Sequence, residues 1–316
     1  MKKVVSLLLA LSLILSVCAF ASADDKTYTV GILQLIQHPA LDAATQGFKD
    51  ALTEKLGDNV VFDEGNASGD ANNCAQIAGQ LVSKQVDLIM ANATPAMLAC
   101  ATATADIPVL ATSITNYESA MEIELTEDGA TGLNVSGTSD LAPLDGQAAM
   151  IQELFPEAKT VGLLYCNAEP NSIFQIKTIE GYLTEMGLEC KRYGFNDSND
   201  LASVAQTATE CDVIYIPTDN TAAGNTEAIA NVVIPAGTPV VAGEEGICAG
   251  CGVATLTISY YDIGYKTGEM AYDILVNGAD IAEMPIAYAP QFTKKYNAAN
   301  AAELNVVIPE GYLPIE

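Results

Sequence analysis

The chain has 316 residues, half of them hydrophobic, with 40 acidic against 13 basic side chains and a formal charge of -27. So acidic a molecule offers no basic surface to nucleic acid or to an anionic membrane, and Arg192 is its only arginine. The length exceeds one ordinary domain and predicts two lobes, while the acidity itself reads first as solubility.

In chain order, Lys2 and Lys3 precede an uncharged apolar run from Val4 to Val17, and Ala21-Ser22-Ala23 follows with small residues where a signal peptidase reads. Residues 1–23 therefore read as an export signal, too short in its apolar part to span a bilayer. A second reading stays open. Leu15-Ser16-Val17-Cys18 is an imperfect lipobox, in which Cys18 would carry a lipid anchor. Both readings place the mature protein outside the cytoplasm, periplasmic or at the cell surface.

Tyr28 to Ile36 predicts a buried strand, and Leu41, Ala44, Phe48, Leu52 and Leu56 then recur at helical spacing. Val60 to Asp63 is a short strand. Cys74, Ile77, Ala78, Leu81 and Val82 mark the next helical face, followed by a strand at Asp87 to Ala93, a helix at Ala96 to Thr104 and a strand at Pro108 to Ile114. This alternation predicts a parallel sheet covered on both faces. It then repeats at a nearly constant offset of about 130 residues. Val161-Gly162-Leu163-Leu164 echoes Val30-Gly31-Ile32-Leu33, Asp212-Val213-Ile214 echoes Asp87-Leu88-Ile89, and Pro239-Val240-Val241 echoes Pro108-Val109-Leu110. Gly132–Asp140, Val253–Tyr260 and Pro285–Phe292 read as crossings between the two halves, with a helix from Tyr261 to Val276 after the second. The lobes are then expected at 27–138 with 257–292, and at 139–256 with 293–316.

Beyond Cys18 there are seven cysteines, an odd number that argues against a full disulfide framework. Cys248-Ala-Gly-Cys251 lacks a second cysteine pair or a nearby histidine, so no metal site is expected. It reads as part of a Gly-rich turn, holding either a local disulfide or two idle thiols.

Ligands of open parallel sheets bind beyond the carboxyl ends of the strands. Six loops fall there: Gln37-His38-Pro39, Thr94-Pro95-Ala96, Thr112 to Thr115, Asn167 to Ser172, Thr218 to Thr221, and Gly243 to Gly246. The first three carry hydroxyls and helix starts, which suit a carboxylate. The last three carry acids and amides, which suit an ammonium. No lysine or arginine lies in them, so phosphate, sulfate and dicarboxylates are disfavoured. A zwitterion is the expected guest. Catalytic readings lack motifs: there is no Gly-x-Ser-x-Gly elbow, no Walker loop and no glycine-rich dinucleotide loop after the first strand. A hydrolase working through Asp219 and Glu245 remains as the alternative from another class.

These loops carry a resemblance. His38-Pro39-Ala40-Leu41-Asp42, Ala91-Asn92-Ala93-Thr94-Pro95-Ala96, Asn167 to Ser172, Pro217-Thr218-Asp219-Asn220 and Gly243-Glu244-Glu245-Gly246 resemble the tryptophan/tyrosine-type ABC transporter substrate-binding proteins. The resemblance covers nearly the whole mature chain. It implies an α/β type I periplasmic-binding-protein fold with two Rossmann-like lobes, parallel sheets and three crossovers. It also implies an amino acid ligand, often aromatic, and an ABC permease as partner, without enzymatic activity or cofactor and with the chain working as a monomer. The ligand-binding residues expected on the two grounds together are His38, Thr94, Pro95, Ser113, Thr115, Glu169, Asn171, Ser172, Asp219, Asn220 and Glu245. The cysteine pair at 248 and 251 departs from the family pattern. Another small zwitterionic or purine-like solute remains the alternative within binding proteins.

Overall fold

A computed structural model describes residues 26–315. The export signal and Cys18 lie outside the described residues, among which no helix is long and apolar enough to cross a membrane. The first half builds β1 (Tyr28–Gln34), α1 (Pro39–Leu56), β2 (Val60–Asn66), α2 (Ala71–Ser83), β3 (Leu88–Asn92), α3 (Thr94–Ala103), β4 (Val109–Ile114), α4 (Tyr117–Met121) and β5 (Val135–Ser139). The second half repeats the pattern with α5 (Leu144–Leu154), β6 (Thr160–Cys166), α6 (Pro170–Glu185), β7 (Glu189–Phe195), α7 (Ser198–Ala208) and β8 (Val213–Ile216). It continues through α8 (Asn220–Ala223), α9 (Thr226–Ala236), β9 (Val240–Ala242), α10 (Glu245–Cys251) and β10 (Ala254–Thr257). The chain then returns through α11 (Tyr260–Leu275) and β11 (Ala287–Tyr288), and finishes with β12 (Thr293–Tyr296), α12 (Ala298–Glu303) and β13 (Leu313–Pro314).

The strands form two sheets, ordered β11-β5-β4-β3-β1-β2 and β13-β12-β10-β9-β8-β6-β7. The shared order 2-1-3-4-5 and 7-6-8-9-10 is the internal repeat in three dimensions, and it places a topological switch point beside β1 and beside β6. All pairings among β1–β11 are parallel, while β12 joins β10 antiparallel. Each central strand feeds two cores. Val30 and Ile32 of β1 pack on one face of their sheet and Leu33 on the other. Val213 and Tyr215 of β8 are separated from Ile214 and Ile216 in the same way. Two-sided burial explains why these strands read as unbroken apolar runs. Each fully buried Leu or Ile contributes about 1.5–3 kcal/mol of transfer free energy.

Three passages link the sheets: Asp140–Pro143 after β5, Ile258–Ser259 after β10, and the segment between β11 and β12. The second delivers α11 back onto α1 in backbone contact. A Cβ on Gly264 would lie 2.0 Å from the Ala44 carbonyl oxygen, and one on Gly47 would lie 2.1 Å from that of Tyr261. Only glycine permits this approach, which fixes the start of α11 against the start of α1 at the edge of the interlobe cleft.

One sequence expectation is corrected here. Cys248 and Cys251 sit in α10, directly after β9, and not in a Gly-rich turn. Both thiols are free and fully buried, and burial pushes both above the usual thiol range.

Candidate functional site

Loops from both lobes meet in a central chamber of ≈ 10 Å³, about the space of one water. His38, Ser113, Thr115, Asn171, Asp219 and Asn220 line it, joined by Asp140, Glu244 and Tyr260. Direct side-chain contacts bridge the lobes here. His38 Nε2 lies 3.3 Å from Asn220 Oδ1. Thr115 Oγ1 lies 3.4 Å from Thr218 Oγ1, and Gln175 on α6 donates to both hydroxyls, at 3.2 and 2.6 Å.

On the first-lobe side the backbone is strained. Ala93, before α3, has φ 87° and Ser113, near the end of β4, has φ 59°. A non-glycine residue held there costs on the order of 1–3 kcal/mol. The Thr94 and Ser113 hydroxyls beside these residues are buried and have no hydrogen-bond partner. Asn220 Nδ2 donates to Glu169, so Asn220 Oδ1 is an acceptor and His38 Nε2 carries the proton. His38 Nδ1 is then an unpartnered acceptor. Burial holds the His38 pKa down, against the Asn220 hydrogen bond, and keeps the ring neutral.

The second-lobe side is densely satisfied. Glu169 accepts from Asn171 Nδ2, the Asn220 backbone and side-chain amides, and the Thr221 backbone and hydroxyl, at 2.6–3.1 Å. It thereby ties the starts of α6 and α8 together. Asp219 caps α8 through Ala222 N at 2.8 Å and also accepts from Cys166 N at 2.6 Å and Ser172 Oγ at 2.8 Å. Asn171 Nδ2 is committed to Glu169 and the Thr218 carbonyl, leaving Asn171 Oδ1 buried and unpartnered.

Three buried carboxylates face the chamber, and no lysine or arginine lines it. Asp140 accepts from Tyr260 OH at 2.9 Å and Thr115 Oγ1 at 3.3 Å. Burial nevertheless raises its pKa to about 6. Glu244 caps α10 through Gly246 N and Ile247 N, and burial raises it to about 7. Asp219 is pushed well up by burial and then by the negative charge of Glu169. Each acid pays for lost hydration with no cation in return.

The expected residues divide accordingly. Ser172 lies behind the chamber, holding Asp219. Pro95 and Glu169 line a separate cavity of ≈ 350 Å³ on the Asp70 and Asp197 side. Thr94 is buried at the start of α3, just beyond the end of β3. Glu245, also expected to bind ligand, pairs with Lys295 at 2.7 Å and lines a side cavity, while its neighbour Glu244 lines the central chamber. Glu245 and Asp219 line different cavities. Sequence reasoning missed Asp140, Gln175, Glu244 and Tyr260 as site residues. Asp140 and Tyr260 were signalled only by their places at the ends of predicted crossings. Gln175 sits one helical turn after Asn171, the only hint it gave.

Residues 29–314 match the model of a family described as ABC transporter substrate binding protein. The "Tyrosine-binding protein" of Clostridioides difficile (strain R20291) is 33% identical over 303 residues, covering 90% of this chain and 87% of that one. A Streptococcus pneumonia ABC domain in complex with L-Trp superposes with a TM-score of 0.87 at 31% identity, over 92% of this chain and 100% of that one. A ligand-free, open substrate-binding protein from Clostridium difficile reaches only 0.69 at 33% identity, over 92% and 99%. The more identical relative superposes less well.

Proposed function

The chain belongs to the ABC transporter substrate binding protein family, and we propose that it captures an aromatic amino acid between its lobes outside the cytoplasm and presents it to an ABC permease. In this reading the mature chain works as a monomer, catalyses nothing, and is released by cleavage after residue 23 or tethered through Cys18. The moving units are 27–138 with 257–292, and 139–256 with 293–316.

The observation that carries the proposal is the set of unpartnered buried atoms at the cleft. Two hydroxyl donors, on Thr94 and Ser113, lie on the first lobe together with the acceptor His38 Nδ1, and an amide acceptor, on Asn171, lies on the second. A ligand carboxylate takes the hydroxyls at the start of α3. Its ammonium takes Asn171 Oδ1 and the chamber carboxylates Asp219, Glu244 and Asp140. His38 and Asn220 close over it, with Thr115 and Thr218 joined by Gln175. Unpartnered buried polar groups cost about 1–3 kcal/mol each, and a zwitterion satisfies both sets at once. The printed ligands of the relatives, tyrosine and L-Trp, make an aromatic side chain the first choice.

A chamber of ≈ 10 Å³ admits no amino acid, so capture requires the lobes to part and re-close. Titration calorimetry of the purified protein against the common amino acids tests the proposal. Saturable one-to-one heat with an aromatic amino acid is expected. No heat with any amino acid defeats it.

A further inference from the structure

The central chamber is too small for a ring: benzene occupies a cavity of about 150 Å³. Two larger cavities adjoin it. The ≈ 350 Å³ cavity shares only Asn220 with the residues lining the chamber. Asn220 is bound to Glu169 through both its amides and to His38 through its side-chain oxygen, so the division there is a hydrogen-bonded polar wall. The other cavity, ≈ 470 Å³, shares Glu244 and Tyr260 with the chamber. Pro39, Ala40 and Ala43 at the start of α1 line it from the first lobe, and Ile258 and Tyr261 line it at the second passage. These are apolar and aromatic surfaces of the kind a ring seeks. The Lys295–Glu245 ion pair, 2.7 Å long, forms part of its wall from the second lobe.

We propose that this side cavity takes the ring of the bound amino acid, and that the Lys295–Glu245 pair reads the ring's para position, favouring tyrosine over phenylalanine. The inference rests on the amino acid reading above. An α-ammonium at Glu244 sits at the junction of the two spaces, which directs the side chain of the same ligand into the larger one. Tyr260 donates its hydroxyl to Asp140, which fixes its ring between them. A phenol hydroxyl both donates and accepts, so it meets an ammonium and a carboxylate equally. Phenylalanine would leave that pair facing an apolar edge, and a site built around a hydroxyl discriminates against the analogue lacking it.

Calorimetry with L-tyrosine, L-phenylalanine and L-alanine on wild type, Ala43→Phe and Lys295→Met tests this. Ala43 is only partly buried, so a phenylalanine there fills the cavity without entering the core. Ala43→Phe is expected to weaken both aromatic ligands about tenfold or more and to leave L-alanine unchanged. Lys295→Met is expected to bring the tyrosine-to-phenylalanine ratio close to one. Should Ala43→Phe not fold, Ala249→Phe fills the same cavity from an exposed position on the other lobe. A folded filling variant that binds both aromatics as wild type does overturns the proposal while leaving amino acid capture intact. A wild type that binds no amino acid overturns both.

Discussion

The two faces of the cleft are built on opposite principles. The first-lobe face holds two non-glycine residues at positive φ, Ala93 and Ser113, and two hydroxyls with nothing to bond. The second-lobe cleft loops contain no non-glycine residue at positive φ, and their acids are wrapped in amide and hydroxyl donors, with Asp219 capping α8 and Glu244 capping α10. One face carries strained backbone and unpartnered hydroxyls. The other is organised beforehand, at the expense of three acids buried without a cation. In the proposed reading, a ligand that satisfies both faces would convert binding energy into lobe closure.

Four experiments would break or sharpen that contrast. The largest effect is expected from Asp219→Asn. It removes a charge from the prepared face and puts an amide where Cys166 N, Ser172 Oγ and Ala222 N all donate. Ligand affinity should fall by about 2–5 kcal/mol, with a lowered melting temperature, by calorimetry and thermal unfolding. Wild-type affinity would mean that Asp219 is only a helix cap.

Next comes pH. Asp140 and Glu244 have folded pKa values raised to about 6 and about 7. The ligand-free fold therefore holds protons that the unfolded chain releases, and these groups make it less stable as pH rises from about 4 through 7. Ammonium binding needs the ionised acids, so affinity should move the other way. It should strengthen between pH 5 and 8 by at most about tenfold per pH unit for each proton released. Thermal melts and calorimetry across this range check both signs, and parallel trends would refute the account.

Ala93→Gly should relieve the strained face. At φ 87° glycine is at ease, and the melting temperature of the ligand-free protein should rise by an amount corresponding to about 1 kcal/mol. A fall would show that the Ala93 conformation is not strained. The smallest effect is expected from Ser113→Ala, which removes an unpartnered hydroxyl. Stability should be unchanged or slightly higher, while affinity drops by about 0.5–1.5 kcal/mol. An unchanged affinity would remove Ser113 from the carboxylate site.

Much of this molecule is written locally. Unbroken apolar strands, helical spacing and landmarks repeated at one offset are properties of adjacent residues, because two-sided burial of a parallel strand needs no knowledge of the rest of the chain. They suffice for two α/β lobes, for the loops at the strand ends and for the opposed chemistry of hydroxyls and acids. Tertiary structure decided what those loops do when they meet. Whether Glu244 or Glu245 turns inward depends on which of them is the N-cap of α10, since the cap must fold back onto Gly246 N and Ile247 N. Asp140, Gln175 and Tyr260 join the site only because lobes far apart in sequence close over them. Burial, and with it the raised pKa values of the cleft acids, belongs to that closed arrangement: desolvation is set by everything that surrounds a carboxylate, and the chain order names only its nearest neighbours.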